Sequence, residues 1–119
     1  MVKVAIFDYG AGNIFSLKNS LEKSNATVDV ITSFDKSNDY SGILLPGVGN
    51  FDPAIKSIRN YSTTNFKDYV QNKIPVLGIC LGMEMFFEKS EEGQEKGLSV
   101  IDGEVVILPN TMKVPHMGW

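Results

Sequence analysis

Apolar residues along this chain come in short runs separated by polar, glycine-bearing stretches. VKVAIF (2–7) is apolar on both faces and closes on Asp8 and a Gly-Ala-Gly turn. Such a run predicts an interior strand of a parallel sheet. Asn13 is placed to cap a helix in which Ile14, Leu17 and Leu21 recur at helical spacing, with Phe15 beside them. TVDVI (27–31) alternates apolar and polar, as an edge strand does, and GILL (42–45) is a further apolar run closed by PGVGN. Asp52 and Pro53 then predict a helix start, with Asp as the cap and Pro at the first helical position. Phe66, Tyr69 and Val70 mark another helix, which should stop before Ile74 and Pro75. Residues 75–79 form the next apolar strand, and 81–88 the start of a helix. After the polar loop SEEGQEKG, GLSVI (97–101) and EVVILP (104–109) read as two strands joined by a turn at Asp102 and Gly103.

Strands alternating with helices predict the α/β class: an open, mostly parallel sheet with helices on both faces. Ligands of such sheets bind at the carboxyl ends of the strands. Three glycine-bearing segments are predicted there: 10–12, 47–49 and 78–82.

With 119 residues, 43% hydrophobic and 21% charged, the chain suits one globular domain, 1–119. A net charge of −3 with no dense basic cluster argues against nucleic acid as a partner. One cysteine cannot close an internal disulfide, and no apolar stretch is long enough for a transmembrane helix or signal segment. A soluble cytoplasmic protein, with no membrane partner, is expected.

That cysteine stands in GICLG, a G-x-nucleophile-x-G pattern between a predicted strand and a predicted helix. Glycines two residues either side leave room for a sharp turn that would present Cys80 as a nucleophile. The turn aims the Leu81 N–H at the atom under attack, and the helix start favours negative charge on the sulfur. The competing reading is a buried, inert cysteine. PGVGN supplies free amides after its own strand, and that of Val48 or Gly49 would complete an oxyanion hole with Leu81. As an isolated pattern, PGVGN reads equally as an ordinary strand-to-helix turn. Gly10 and Gly12 begin a dinucleotide-like G-x-G, but Phe15 stands where a third glycine belongs, so no nucleotide is expected.

DYGAGN (8–13), PGVGNF (46–51), GICLGM (78–83) and VPHMGW (114–119) occur in the order found in one family. The chain resembles the glutaminase subunits of imidazole glycerol phosphate synthase, class I (triad-type) glutamine amidotransferases of flavodoxin-like fold that serve histidine biosynthesis. The resemblance implies attack on glutamine's side-chain amide by Cys80, release of ammonia, and hydrolysis of a glutamyl thioester. It uses no cofactor, and no metal site is expected. It implies an oxyanion hole from Leu81 and the Pro46–Gly49 loop through Val48 and Gly49, with Gly47, Glu84 and Glu92 binding the substrate. Glu92 matches a residue that grips the substrate's α-amino group, with Glu91 as the neighbouring alternative. Asn13, Pro115, His116, Met117 and Trp119 match surfaces facing a cyclase partner, a (β/α)₈ barrel that receives the ammonia.

Two departures stand out. Glu84 occupies the position where the family usually carries a substrate-contacting Gln, and a carboxylate cannot donate to a carbonyl. The family's catalytic His and Glu lie beyond PHMGW, so the chain reads as the amino-terminal portion of an amidotransferase, with His116 the only histidine. A part-sheet with an uncovered apolar edge invites self-association. Two other functions fit some of these residues: a non-catalytic assembly module derived from the family, and a cysteine-dependent ester or lactone hydrolase.

Overall fold

In the computed structural model, residues 1–33, 39–61, 66–72 and 74–118 are described. Four strands form one parallel sheet: β1 (Lys3–Phe7), β2 (Thr27–Ile31), β3 (Gly42–Leu45) and β4 (Val76–Gly78). Their spatial order is β2-β1-β3-β4, which places the alternating TVDVI run at an edge.

The apolar-on-both-faces character of β1 has a direct structural cause. Ala5 and Phe7 point to one face, where they join Ile43 and Leu45 beneath α2 (Phe51–Tyr61), α3 (Phe66–Asn72) and α4 (Leu81–Glu84). Ile6 points to the other, joining Val28 and Leu44 beneath Ile14, Leu17 and Leu21 of α1 (Ile14–Lys23). Helices therefore lie on both faces, as expected. Within α2 the buried residues Phe51, Ala54, Ile55 and Ile58 follow one helical stripe. Burying each large side chain of this kind stabilises the fold by about 1.5–3 kcal/mol.

Three local expectations are corrected. First, α2 begins at Phe51, with the Ala54 N–H bonded to the Asn50 carbonyl, so Asp52 lies inside the first turn and is not the cap. Second, α4 ends at Glu84 instead of running to residue 88. The Phe86 and Phe87 N–H groups bond three residues back, to Met83 and Glu84, a tightening that closes the helix.

Third, residues 97–101 are not a strand. The N–H groups of Gly97, Leu98, Ser99 and Val100 bond to the carbonyls of Glu88, Met85, Phe87 and Phe86. Ser99 lies at φ 53°, which breaks any extended run. Of the predicted pair only β6 (Glu104–Val105) forms, and its partner is β5 (Lys89–Ser90), in parallel.

Among the described residues, no helix is long and apolar enough to cross a membrane.

Candidate active site

In the strand order, the chain leaves β1 toward β2 and then crosses back to β3 on the other side. The crevice at such a switch point, beyond the carboxyl ends of the strands, is where open α/β sheets bind ligands. Here it is a cavity of about 490 Å³ lined by Gly10, Ala11, Gly12, Val48, Asn50, Pro53, Ala54 and Ser57. Tyr9, fully buried, ties its two loops together. Its hydroxyl donates to the Pro46 carbonyl, and its own carbonyl accepts from the Ser57 hydroxyl. Burial pushes the Tyr9 phenol well up, so it stays a donor.

Cys80 stands next door, immediately after β4. Its backbone sits at φ 54°, ψ −117°, a conformation that side chains rarely adopt. The flanking glycines are required by contact. A Cβ on Gly82 would lie 1.9 Å from the Leu45 carbonyl oxygen, and one on Gly78 would lie 2.7 Å from Met83 Cα. Both obstacles are backbone atoms. The turn is clamped by the Ile79 N–H to the Leu45 carbonyl and the Gly82 N–H to the Ile79 carbonyl, each at 3.0 Å. The thiol is exposed, which removes the buried, inert alternative.

The Leu81 N–H occupies the first helical position, where no intrahelical acceptor exists. With only four residues, α4 has little cumulative dipole. The 46–49 loop packs directly on it: a Cβ on Gly47 would lie 2.7 Å from the Gly82 nitrogen and 3.0 Å from Leu81 Cβ. Val48 and Cys80 line a common cavity of about 160 Å³ with Asn13, Leu17, Pro46, Gly47 and Ile79. Gly49 sits at φ 99° with open space where a side chain would stand. The larger switch-point crevice does not include Cys80; the smaller cavity does.

Glu84 and Glu92 come together. Glu84 lies one helical turn after Cys80, its N–H bonded to the Cys80 carbonyl at 3.1 Å. Its Oε2 is buried with no N–H or hydroxyl donor in reach. Burial, and next the hydrogen-bonding carboxyl of Glu92, push the Glu84 carboxyl up to about 7. A protonated Glu84 can donate to Glu92, which a carboxylate cannot. Glu91 is engaged elsewhere: its N–H bonds to the Val105 carbonyl and its carboxylate accepts the Ile107 N–H. Of the two neighbouring acids, Glu92 is the one beside Glu84.

Local sequence reasoning missed what holds this loop. Asp52 accepts the N–H groups of Gln94 and Glu95, each at 2.9 Å on Oδ1. Those bonds hold its carboxyl below the usual range. Arg59 reaches Glu95 at 3.1 Å, and Lys56 reaches it at 3.7 Å. The visible signal was the spacing of Asp52, Lys56 and Arg59, a polar stripe on α2 flanking its buried one.

The residues that the resemblance matches to a partner surface lie apart. Asn13 caps α1, its side chain accepting the Ser16 N–H at 3.2 Å, and also lines the Cys80 cavity. Pro115, His116 and Met117 sit on an exposed tail around their own cavity of about 150 Å³. Trp119 lies outside the described residues. Among the described residues, no three His, Cys, Asp or Glu side chains are grouped to hold a metal.

The family model for class-I glutamine amidotransferases matches residues 5–119. Imidazole glycerol phosphate synthase subunit HisH of Cyanophora paradoxa is 40% identical over 121 residues, covering 99% of this chain and 56% of the relative. The subunit of that name from Prochlorococcus marinus is 38% identical, covering 100% and 57%. That from a Synechococcus species is 41% identical, covering 99% and 56%. The chain thus spans a little over half the length of these curated relatives. With the elbow, its glycines and the loop against it falling inside the matched residues, the chain belongs to the class-I glutamine amidotransferase family.

Proposed function

We propose that this chain is part of a glutaminase subunit of imidazole glycerol phosphate synthase, releasing ammonia from glutamine for histidine biosynthesis in the cytoplasm. The observation that carries the reading is Cys80 itself: exposed, held at φ 54° between two glycines that touch backbone, with the 46–49 loop packed on the following residue.

In this reading the Cys80 thiolate attacks the side-chain amide carbon of glutamine. The C=O electron pair moves to oxygen, where the Leu81 N–H and the amide of Val48 or Gly49 receive it. Removing one such donor typically lowers the rate 100- to 1000-fold, an estimate of about 3–4 kcal/mol. Collapse expels the amide nitrogen, which takes a proton and leaves as ammonia. Water then cleaves the thioester to glutamate and frees the thiol. Glu92 receives the substrate's α-ammonium and Glu84 lies beside it, while Gly47, packed on Leu81 and Gly82, brings the substrate-binding loop against the elbow.

The leaving nitrogen needs a proton donor and the thiol a base. His116 lines a separate cavity on the exposed tail, so we assign this role to a group outside these residues. The ammonia acceptor is a cyclase subunit of (β/α)₈ form. Asn13 at the mouth of the Cys80 cavity, together with the tail of Pro115, His116, Met117 and Trp119, is the proposed surface for it.

The test is glutamate release from glutamine, with and without the cyclase subunit, alongside labelling by a glutamine-like electrophile. Labelling at Cys80, lost in Cys80→Ala, is expected. Labelling that persists in Cys80→Ala overturns the proposal. Full affinity for the cyclase with no Cys80 labelling would favour an assembly module instead.

A further inference from the structure

The α2 stripe does more than decorate a helix surface. Asp52 follows the 46–50 loop by two residues, and its carboxylate closes on amides more than 40 positions later in the chain. The approach is tight: a Cβ on Gly93 would lie 2.1 Å from Asp52 Oδ1, so glycine there is what admits the carboxylate. Further along the same helix, Arg59 donates to Glu95 at 3.1 Å and also to the Lys96 carbonyl. From the other end, the Glu92 N–H bonds to the hydroxyl of Ser90, which is buried. Glu92 is therefore pinned on both sides, by Ser90 before it and by α2 after it.

We propose that Asp52 is a positioning residue: seconded by Arg59, it clamps residues 93–96 onto α2 and so holds Glu92 against Glu84, one helical turn from Cys80. The same residue couples the 46–50 loop to the acidic loop, because α2 begins where the first ends and grips the second. This rests on the reading of Glu84 and Glu92 as the receptor for the substrate's ammonium. The clamp itself has a readout that needs no substrate.

That readout is the titration midpoint of the Glu84 carboxyl, followed by carbon NMR of labelled glutamate in the full chain. Glu92→Gln sets the reference for a missing neighbour. Asp52→Ala should move the Glu84 midpoint toward that reference, down by about one pH unit, because Glu92 is no longer held beside it. Asp52→Asn retains an oxygen that accepts both amide N–H groups and should stay near the wild type. Arg59→Ala should shift the midpoint the same way by less, and it replaces Asp52→Ala if that variant fails to fold by circular dichroism. An unchanged midpoint in the folded variant overturns the clamp, as does an Asp52→Asn shift equal to that of Asp52→Ala.

A second measurement separates the clamp from the substrate reading. Cys80 alkylation is compared between an electrophile bearing an α-amino acid group and iodoacetamide, which lacks one. Asp52→Ala should lower the preference for the former about tenfold, while iodoacetamide reacts at the wild-type rate. A wild type without preference, whose Glu84 midpoint still moves in Asp52→Ala, overturns the substrate reading and leaves the clamp standing.

Discussion

A carboxyl group that keeps its proton near neutrality has an energetic consequence for the whole chain, and Glu84 is such a group. Its carboxyl rises from 4.5 to about 7, first through burial and then through Glu92. The folded chain therefore binds this proton more tightly than the unfolded one. The associated stability is fully present below 4.5 and is lost as pH rises through about 7. Glu84→Gln removes the titration and supplies an amide N–H that donates to Glu92 without taking up a proton. We expect Glu84→Gln to melt a few degrees above the wild type near about pH 8 and level with it near about pH 4. Thermal melts across that range check this; parallel curves would mean that the Glu84 carboxyl is not burdened by its site. The position of Glu84 relative to Cys80 was readable from sequence spacing. Its protonation was not, since it depends first on burial and then on a neighbour eight residues on, both of which only the folded loop sets.

At the scale of elements, the site is a set of turns held by short elements, and the turns are where glycine is indispensable. Gly82, the second residue of α4, lies under the Leu45 carbonyl at the end of β3, so strand and elbow meet backbone to backbone. A methyl group there has no flexible side chain to displace. We expect Gly82→Ala to destabilise the fold by about 3 kcal/mol or more, read by urea unfolding. A loss below about 1 kcal/mol would show that the elbow can shift without unfolding the sheet. The elbow was readable from the pattern GICLG because sterics act within five residues. The parallel strands were readable because both faces of β1 and β3 are covered. What failed were elements whose bonds are tertiary. GLSVI has strand-like residues, yet its amides serve the turn after α4. Asp52 has the look of a helix cap, yet its oxygens are taken by Gln94 and Glu95.

At the scale of the molecule, the sheet is unevenly covered. On this face α1 packs over Ile6, Val28 and Leu44, and beyond it Leu77 stands beside a shallow groove of about 300 Å³ shared with Val4, Leu21, Leu44 and Val76. Leu77 is 60% exposed, in β4, which among the described residues pairs only with β3. An unpaired edge beside an open apolar face is a template for another strand. The occupant we expect for the isolated chain is a second copy, each β4 edge supplying the N–H and C=O groups the other lacks. Sedimentation should then show an average mass rising with concentration. Leu77→Lys, which sets a charge in the groove, should flatten that rise by an order of magnitude in association constant, about 1.4 kcal/mol. Its side chain belongs to the opposite sheet face from α4, so labelling of Cys80 should continue at the wild-type rate. Equal concentration dependence in both chains would remove β4 as the contact, and a simultaneous loss of Cys80 labelling would mean that the substitution reached the elbow instead of the edge.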